Sequence, residues 1–367
     1  MKELYVGLMS GTSMDGIDAA LVEFDESSLN IRHTLEFDYP GSLREQLLAA
    51  IQIPLDQPID NVTELDTAVG ECFRDAALAL INEADVDAAE ICAIGSHGQT
   101  LRHQPDAAKP FSLQIGDPQL IANGTGIQTI ADFRSADIAA GGQGAPLAPY
   151  FHEWLFRQAG ATRCVLNIGG VANLTVIADG ADTIGFDTGP GNSLLDAWIR
   201  KHRAVPFDRD GEWAATGAVN EELLEQFLAE PYFAYAPPKS TGFEHFNLSW
   251  IESHDVGSVV PADVQASLCA LSAQTIADAI VDYAPATEDV LICGGGVHNP
   301  ILLGQLATRL PEIAVRPTGD AGLDPDWVEA VAFAWLAMRH LQQLPGNLPS
   351  VTGASEAVVL GERHTPG

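Results

Sequence analysis

Three glycine-rich turns are the first places where this sequence could do chemistry. They lie at residues 10–18, 167–174 and 294–299, and each follows an apolar segment typical of a strand. Glycine lets backbone N–H groups approach a ligand closely, and successive N–H groups bind phosphate. For any one of them alone, a tight hairpin turn is the favoured explanation. Three such turns, together with the isolated Asp187 after a further strand, favour a nucleotide site with one reactive carboxylate.

Other motifs for phosphate binding and catalysis are missing. No lysine follows a glycine as a P-loop requires, and no Cys or His spacing suits structural zinc. Residues 11–15 lack the last glycine of a hydrolase nucleophile turn. The Asp-Thr-Gly at 187–189 has no second copy, so an aspartic-protease dyad is not supported either.

Composition excludes several kinds of partner. The 367 residues contain 18 Lys and Arg against 50 Asp and Glu, which gives a net charge of −32. This field repels nucleic acids and anionic membranes, so we expect neither as a partner, and ATP would have to arrive as a metal complex. Five dispersed cysteines, with no signal peptide and no long apolar run, predict reduced thiols in a cytoplasmic protein.

The hydrophobic pattern predicts a mixed α/β chain in which the same strand–turn–strand arrangement occurs twice. Strand–turn–strand segments at 4–24 and 165–177 open the two halves, and a strand at 183–186 stops at Asp187. Further strands are predicted at 91–95 and 290–293, and helices at 66–85, 193–201, 219–228, 264–283 and 326–341. The aromatic- and proline-rich segment 232–261 is interpreted as a functional excursion or lid.

The motifs taken together resemble one family. They lie at 7–18, 95–100, 131–134, 141–147, 167–175, 185–192, 237–242, 293–299, 329–337 and 347–354, and they cover nearly the whole chain. In this order they are similar to the anhydro-N-acetylmuramic acid kinase family, which belongs to the sugar kinase, Hsp70 and actin superfamily. Several motifs are weak individually, but the set is specific.

The resemblance implies an α/β fold with two domains, the actin-like ATPase (ribonuclease H-like) fold, with ATP and Mg²⁺ in the cleft between the domains. The expected N-terminal lobe is 1–131, rejoined by 342–367, and the C-terminal lobe is 132–341. The implied reaction opens the 1,6-anhydro ring of anhydro-N-acetylmuramic acid with water and phosphorylates O6. Its product is N-acetylmuramic acid 6-phosphate, formed in peptidoglycan recycling.

The same resemblance implies the residues that bind ATP, which belong to the three glycine-rich turns. They are Gly11, Thr12, Ser13, Met14, Asp15, Gly16, Ile17 and Asp18; Asn167, Gly169, Gly170 and Asn173; and Gly294, Gly295, Gly296 and Asn299. Asp15 is the candidate for contacting the metal of Mg-ATP. Backbone N–H groups and Mg²⁺ together can neutralise a γ-phosphate without a P-loop lysine.

Asp187 corresponds to the catalytic carboxylate of the family. A base is needed for the water that attacks the anomeric carbon, and one aspartate could activate that water while the departing O6 accepts the phosphoryl group. The structural alternative is a turn or N-cap aspartate ahead of the helix at residue 193.

Four residues are candidates for binding the sugar. Arg134 can hold the lactyl carboxylate with two hydrogen bonds, although an ion pair with one of the many acidic residues is the alternative. Glu329 could instead only complement a helix dipole. His97 and Gln99 could line the sugar site, or His97 could be a structural donor.

One departure from the family pattern and two alternative functions stand beside this interpretation. Phe243 occupies the position where the family pattern has arginine. The alternatives are a kinase of another amino sugar or hexose, and a nucleotide-switched binding protein of the same superfamily. The expected partners are the anhydro amino sugar and ATP, and the sequence leaves a homodimer open.

Overall fold

The computed structural model describes residues 2–11, 14, 16–25, 28–54, 57–105 and 107–367. The strands of this part of the chain are β1 (Glu3–Met9), β2 (Gly16–Phe24), β3 (Leu29–Asp38), β4 (Ile91–Ser96), β5 (Gln99–Gln104), β6 (Phe111–Ile115), β7 (Thr129–Ala131), β8 (Thr162–Ile168), β9 (Val171–Ile177), β10 (Ile184–Pro190), β11 (Thr287–Cys293), β12 (Ala314–Pro317) and β13 (Glu362–His364). The α-helices are α1 (Gly41–Ile51), α2 (Val62–Glu83), α3 (Pro118–Thr125), α4 (Ser135–Ala139), α5 (Ala148–Phe156), α6 (Ser193–Arg203), α7 (Glu221–Leu228), α8 (Leu248–Glu252), α9 (Pro261–Tyr283), α10 (Pro300–Arg309), α11 (Val328–Leu341) and α12 (Pro349–Thr352). Short 3₁₀ helices lie at Ala88–Glu90, Arg209–Gly211, Ala214–Thr216, Pro231–Ala234, Val256–Ser258, Gly295–His298 and Thr318–Ala321.

The predicted helices are confirmed as α2, α6, α7, α9 and α11, with ends that differ by a few residues. The predicted strands appear as β1, β2, β4, β8, β9, β10 and β11. One prediction about a strand is wrong, because β10 does not stop at Asp187. The strand continues to Pro190 through a bulge between Asp187 and Gly189 that leaves Thr188 without a cross-strand partner. The bulge adds a residue to one strand and so lets pairing with β9 continue past the carboxylate.

The chain divides into two compact units. The first unit is Met1–Leu155 with Trp327–Gly367, and the second is Phe156–Asp326. The lobes predicted from the sequence, 1–131 with 342–367 and 132–341, have other boundaries. The difference arises because α4 and α11 belong to the first unit.

The first unit is built on a six-stranded sheet of order β13-β7-β4-β1-β2-β3. β1, β2 and β3 form an antiparallel meander, and β4 and β7 follow in parallel with β1. Val6 and Leu8 of β1 lie in one core with Val69 and Phe73 of α2. Because side chains alternate along a strand, this core covers one face of the sheet.

Helix α11 packs against β1 and β4 at very short range. An ideal Cβ on Gly7 would lie 1.8 Å from the carbonyl oxygen of Ala330, and one on Gly95 would lie 2.1 Å from that of Phe333. Real Cβ atoms never approach a backbone oxygen so closely. Glycine at these two positions therefore allows the helix backbone to lie directly on the strands.

The second unit repeats the same sheet plan with five strands in the order β10-β9-β8-β11-β12. β8, β9 and β10 are antiparallel, and β11 and β12 are parallel to β8. Three antiparallel strands followed by two parallel ones are the order of the ribonuclease H-like fold that the family resemblance implies. The predicted α/β fold class and the predicted duplication are confirmed.

Helix α9 forms the centre of the core of the second unit. It is the one helix among the described residues that is long and apolar enough to cross a membrane by length and composition. However, 83% of its most apolar window is buried, and Val264, Leu268 and Ile276 share a core with Leu166 and Phe186 of the sheet. Its apolar character is thus explained by core packing.

Candidate active site

The first glycine-rich turn connects β1 to β2, and the Ser10 hydroxyl joins its two ends. The Ser10 hydroxyl lies 2.7 Å from the carbonyl oxygen of Gly16 and 2.7 Å from Oε1 of Gln99. Nε2 of Gln99 donates to the carbonyl of Gly11 at 3.2 Å. Gln99, predicted to line a sugar site, therefore contacts the β1 end of this turn through Ser10 and Gly11.

The other residues predicted in this turn have different environments. Met14 and Ile17 are each 1% exposed, so their side chains belong to the core, and any contact with a ligand would involve backbone. Asp18 is half-buried and pairs with Met9 across the hairpin. Thr12, Ser13 and Asp15, the last being the predicted metal contact, lie outside the described residues.

Arg134 and His97 form a hydrogen-bonded pair in the first unit. His97 Nδ1 lies 2.8 Å from the carbonyl oxygen of Gly98, which assigns the proton to Nδ1, and Nε2 then accepts from Nη2 of Arg134 at 2.8 Å. Burial, followed by the nearby Arg134 charge, lowers the pKa of His97 to about 3. At neutral pH a neutral imidazole thus accepts from the guanidinium and orients it.

A buried aspartate fixes the loop that holds Arg134 from the other side. Nη1 of Arg134 donates to the carbonyl of Gly144 at 2.7 Å, and the N–H of Gly144 donates to Oδ2 of Asp137 at 2.7 Å. Oδ1 of Asp137 accepts from Nδ2 of Asn347 and from the Thr352 hydroxyl, both at 2.6 Å. Asp137 is 0% exposed, so these three donors take the place of water around its charge.

These contacts give Arg134 a fixed position, and they involve residues that the sequence analysis missed. The half-buried guanidinium is oriented by its hydrogen bonds to His97 and Gly144. Asp137 lies outside every motif named in the sequence, whereas its partners Asn347 and Thr352 lie in the motif at 347–354. Glu329 is half-buried in the first turn of α11, where its charge also complements the helix dipole.

In the second unit, the predicted residues form one row across four strands. Asp187 of β10 pairs with Asn173 of β9, Asn173 pairs with Asn167 of β8, and Asn167 pairs with Cys293 of β11. Residues paired directly across a sheet lie on the same face. The sheet therefore brings Asp187, Asn173 and Asn167 together in one polar row.

Two side-chain oxygens of this row are buried without a hydrogen-bond partner among the described residues. They are Oδ1 of Asn167 and Oδ1 of Asn173. Asn167 itself is 4% exposed. Since buried amide groups are normally hydrogen-bonded, these two mark a place where a polar ligand group would be accommodated.

The turn between β8 and β9 is fixed to the start of α6. The Gly169 carbonyl accepts from the N–H of Asn192 at 2.9 Å, and the Gly170 carbonyl accepts from those of Gly191 and Ser193 at 2.9 and 3.0 Å. A Cβ on Gly191 would lie 2.4 Å from the Gly169 oxygen. Glycine at 191 is therefore what allows the two turns to contact each other.

The third glycine-rich turn packs against the same end of β8. Gly294 has a φ of +77°, and a Cβ there would lie 2.2 Å from Oδ1 of Asn167. A Cβ on Gly296 would lie 2.3 Å from Cγ2 of Ile168, whereas a Cβ on Gly295 would meet nothing within 4 Å. Gly295 therefore borders open space, and the other two glycines border protein.

Asn299, predicted to contact the nucleotide, caps α10. Its Oδ1 accepts from the N–H groups of Ile301 and Leu302 at 3.1 and 3.0 Å, and the residue is 6% exposed. A cap of this kind contributes about 1 kcal/mol to helix stability. Its role as a nucleotide contact stays a prediction.

The contrast between Gly295 and Gly294 gives a matched test of the nucleotide prediction. Gly295→Ala is expected to leave the unfolding transition unchanged and to raise the KM for ATP several-fold, because the added methyl occupies the open space at the turn. Gly294→Ala is expected to destabilise the protein, since it combines a left-handed φ with a collision against Asn167. Thermal unfolding and ATP titration of both variants check this, and a normal KM for ATP in folded Gly295→Ala would contradict it.

Asp187 is held by three hydrogen bonds at the bulge of β10. The N–H of Thr241 donates to its Oδ2 at 2.9 Å, its own N–H donates to the carbonyl of Lys239 at 3.1 Å, and the Tyr232 hydroxyl donates to its carbonyl oxygen at 2.8 Å. The side chain is half-buried. Tyr232, Lys239 and Thr241 were not assigned by the sequence analysis. All three lie in the segment 232–261, and Lys239 and Thr241 also lie in the motif at 237–242.

Gly189 completes the bulge. Its φ is +153°, and a Cβ there would lie 2.8 Å from Cε1 of Phe233. The aromatic ring thus packs directly against the backbone that follows Asp187. The segment 232–261 was interpreted from the sequence as an excursion or lid. Its residues 232–241 supply these contacts around Asp187.

The described residues suit a metal that arrives with its ligand. They contain no group of three or more His, Cys, Asp or Glu that could hold a metal ion by itself. Mg²⁺ bound through one or two carboxylates and substrate phosphates needs no such group.

Comparison with known proteins gives a full-length match. A family model described as anhydro-N-acetylmuramic acid kinase matches residues 3–366. A protein named anhydro-N-acetylmuramic acid kinase from Xanthomonas campestris pv. campestris is 52% identical over 362 residues, which are 98% of this chain and 96% of that protein. One of the same name from Coxiella burnetii is 49% identical over 363 residues, 98% of this chain and 97% of that protein.

A solved structure also resembles this chain. Component A of (R)-2-hydroxyglutaryl-CoA dehydratase from Acidaminococcus fermentans is 11% identical, with a TM-score of 0.47 over 90% of this chain and 96% of that chain.

Proposed function

The chain belongs to the anhydro-N-acetylmuramic acid kinase family, and from this premise we propose that it transfers the γ-phosphoryl group of ATP to O6 of 1,6-anhydro-N-acetylmuramic acid. Water opens the anhydro ring in the same reaction, and the product is N-acetylmuramic acid 6-phosphate for peptidoglycan recycling. The observation that carries the proposal is the half-buried Asp187, whose carboxylate and backbone are held in one orientation by Thr241, Lys239 and Tyr232.

Asp187 acts as the general base. It accepts a proton from water, whose oxygen bonds to the anomeric carbon as the bond from that carbon to O6 breaks. The released O6 bonds to the γ-phosphorus as the bond to the β-phosphate bridging oxygen breaks, and ADP leaves. The N–H of Thr241 fixes the plane of the carboxylate through Oδ2, which keeps the basic oxygens aligned with the water.

The glycine-rich turns bind the nucleotide. The β8–β9 turn and residues 294–296 meet at the end of β8, where Gly295 borders open space and Asn167 presents a buried amide. Backbone N–H groups at such turns hold phosphates without a lysine. Mg²⁺, when bound with ATP, supplies the charge that neutralises the phosphates.

Arg134 binds the lactyl carboxylate of the sugar. Arg134→Ala is expected to raise the KM for 1,6-anhydro-N-acetylmuramic acid by about 10- to 150-fold, because the loss of a charged hydrogen-bonded pair costs about 1.5–3 kcal/mol. The KM for ATP should change much less, because the carboxylate is on the sugar. Steady-state kinetics with each substrate varied in turn measure both constants.

The control for Arg134 is a sugar without the lactyl group. Wild type and Arg134→Ala should use 1,6-anhydro-N-acetylglucosamine equally poorly, because the arginine has no carboxylate to bind there. If Arg134→Ala raised the KM for both sugars and for ATP alike, the carboxylate role would be wrong.

An ATP-coupled assay tests the function as a whole. Turnover is expected with 1,6-anhydro-N-acetylmuramic acid and Mg²⁺, and little with glucose or N-acetylglucosamine. Turnover on a free hexose alone would favour the alternative sugar kinase, and ATP hydrolysis without any sugar product would favour a nucleotide-switched protein. We place the reaction in the cytoplasm, with support from five cysteines that form no disulfide.

A further inference from the structure

A buried lysine lies in the loop whose backbone contacts Asp187. Lys239 is 9% exposed. Its Nζ donates to the carbonyls of Tyr232 and Phe233 at 3.3 and 3.2 Å, and it lies 4.8 Å from the centre of the Tyr232 ring and 6.0 Å from that of Phe186. Carbonyl dipoles and aromatic faces both stabilise a cation. The environment therefore suits a charged ammonium group inside the second unit.

The charge of Lys239 is coupled to that of Asp187. Burial lowers the pKa of Lys239, and the Asp187 carboxylate acts in the opposite direction. Burial, and then the same carboxylate, raise the pKa of Tyr232. Two titratable groups coupled to Asp187 are Tyr232 on the 3₁₀ helix Pro231–Ala234 and Lys239 on the following loop. On β9, the uncharged Asn173 is paired with Asp187.

The backbone of the lysine loop also holds the aspartate. The carbonyl of Lys239 accepts from the N–H of Asp187, and two residues later the N–H of Thr241 donates to Oδ2. The ammonium group of Lys239 in turn fastens this loop to the Pro231–Ala234 helix through two carbonyls. Lys239 thus connects both segments that contact Asp187.

We propose that Lys239 is a positioning residue for Asp187. Lys239 anchors the loop that contacts the Asp187 carboxylate, and its positive charge keeps this carboxylate ionised when the phosphates of the nucleotide approach. This inference rests on the proposed role of Asp187 as base. In a chain of net charge −32, a bound nucleotide adds further negative charge near that carboxylate. A buried cation opposes this effect more strongly than an exposed one, because water screens it less.

The first test is the pH dependence of kcat in Lys239→Met, which removes the charge and keeps much of the volume. Because an opposite charge lowers a carboxyl pKa, its loss should move the acid limb of the profile upward by about one pH unit. We expect kcat at neutral pH to fall at least 10-fold, with the KM for ATP changed less than threefold. Lys201→Met, which removes an exposed lysine stacked on Trp198 of the same unit, is the control that should leave the profile unchanged.

Tyr232→Phe separates positioning from charge. It removes the hydrogen bond to the Asp187 carbonyl and keeps the ring under the ammonium group. We expect kcat to fall several-fold with the acid limb in its original place. An acid limb that stays in place in folded Lys239→Met would overturn the proposal.

A measurement on the Asp187→Asn variant tests the coupling without any activity and does not require Lys239→Met to fold. The chain has only four lysines, Lys2, Lys109, Lys201 and Lys239, so ¹³Cε-lysine NMR gives few signals. Asp187→Asn should lower the pH at which the Lys239 signal titrates by about one unit and leave Lys201 unaffected. If the pH at which the Lys239 signal titrates does not change in Asp187→Asn, the proposal is overturned. If that pH shifts but the wild-type protein shows no activity on the anhydro sugar, only the proposed function is contradicted.

Discussion

Asp187→Asn is expected to lower kcat about 10²- to 10⁴-fold, the loss typical of a general base. The amide keeps the size of the side chain and can still accept from the N–H of Thr241, so ATP and sugar should bind with nearly normal affinity. Steady-state kinetics together with equilibrium binding of a non-hydrolysable ATP analogue measure the two effects separately. The control is Asp182→Asn, which alters an exposed carboxylate shortly before β10 and should be fully active.

The course of the reaction gives a second criterion for Asp187. In ¹⁸O-labelled water the wild type should place the label on the anomeric carbon and the phosphate on O6 of the same molecule. Because the two events are joined, neither an opened unphosphorylated sugar nor a phosphorylated closed ring should accumulate in mass spectra. Near-normal turnover of Asp187→Asn, or a phosphorylated product that still carries the anhydro ring, would remove Asp187 from the role of base.

Asp137→Ala should lower the free energy of unfolding by about 3–5 kcal/mol, the range found when one partner of a buried charged network is removed. The substitution leaves the donors of Asn347, Thr352 and Gly144 without their carboxylate inside the first unit. Urea unfolding followed by tryptophan fluorescence measures the change. Asp179→Asn is the control, because this exposed residue accepts a single hydrogen bond, from the N–H of Gly160, and should cost less than about 1 kcal/mol.

The milder Asp137→Asn connects this network to the sugar. If the variant folds, the Gly144 loop is held less firmly, and Arg134 loses part of its support. The KM for the anhydro sugar should then rise while the KM for ATP stays near its normal value. A stability within 0.5 kcal/mol of wild type for Asp137→Ala would contradict the inferred network.

Local patterns in the sequence were sufficient for much of the fold. The β1–β2 and β8–β9 hairpins combine alternating apolar residues with turn residues, and α2, α9 and α11 have helical spacing over many residues. β13, by contrast, is only three polar or charged residues long and is a strand because it pairs with β7. The boundaries of the units could not be predicted from the sequence either, because the contact of α11 with Gly7 and Gly95 joins parts of the chain that are far apart in sequence.

Some residues of the candidate site could likewise be predicted from the sequence, and others could not. Glycine-rich turns and an aspartate after a strand are visible in sequence, so Asp187 and the turns could be predicted. Asp137 could not, because its partner Asn347 lies 210 residues away and nothing local distinguishes it from a surface aspartate. Lys239 lay in a quoted motif, but only folding reveals that its ammonium group is buried under two aromatic rings.

The division of the first unit between two stretches of chain has a consequence for biosynthesis. Domains fold during translation as their residues leave the ribosome, at about 5–20 residues per second. The second unit is one continuous stretch and can fold as soon as it has emerged. The β1–β4 face that α11 covers is made first, but it stays open on the nascent chain until the whole second unit has been translated. The first unit therefore begins to be synthesised before the second unit and completes its fold after it.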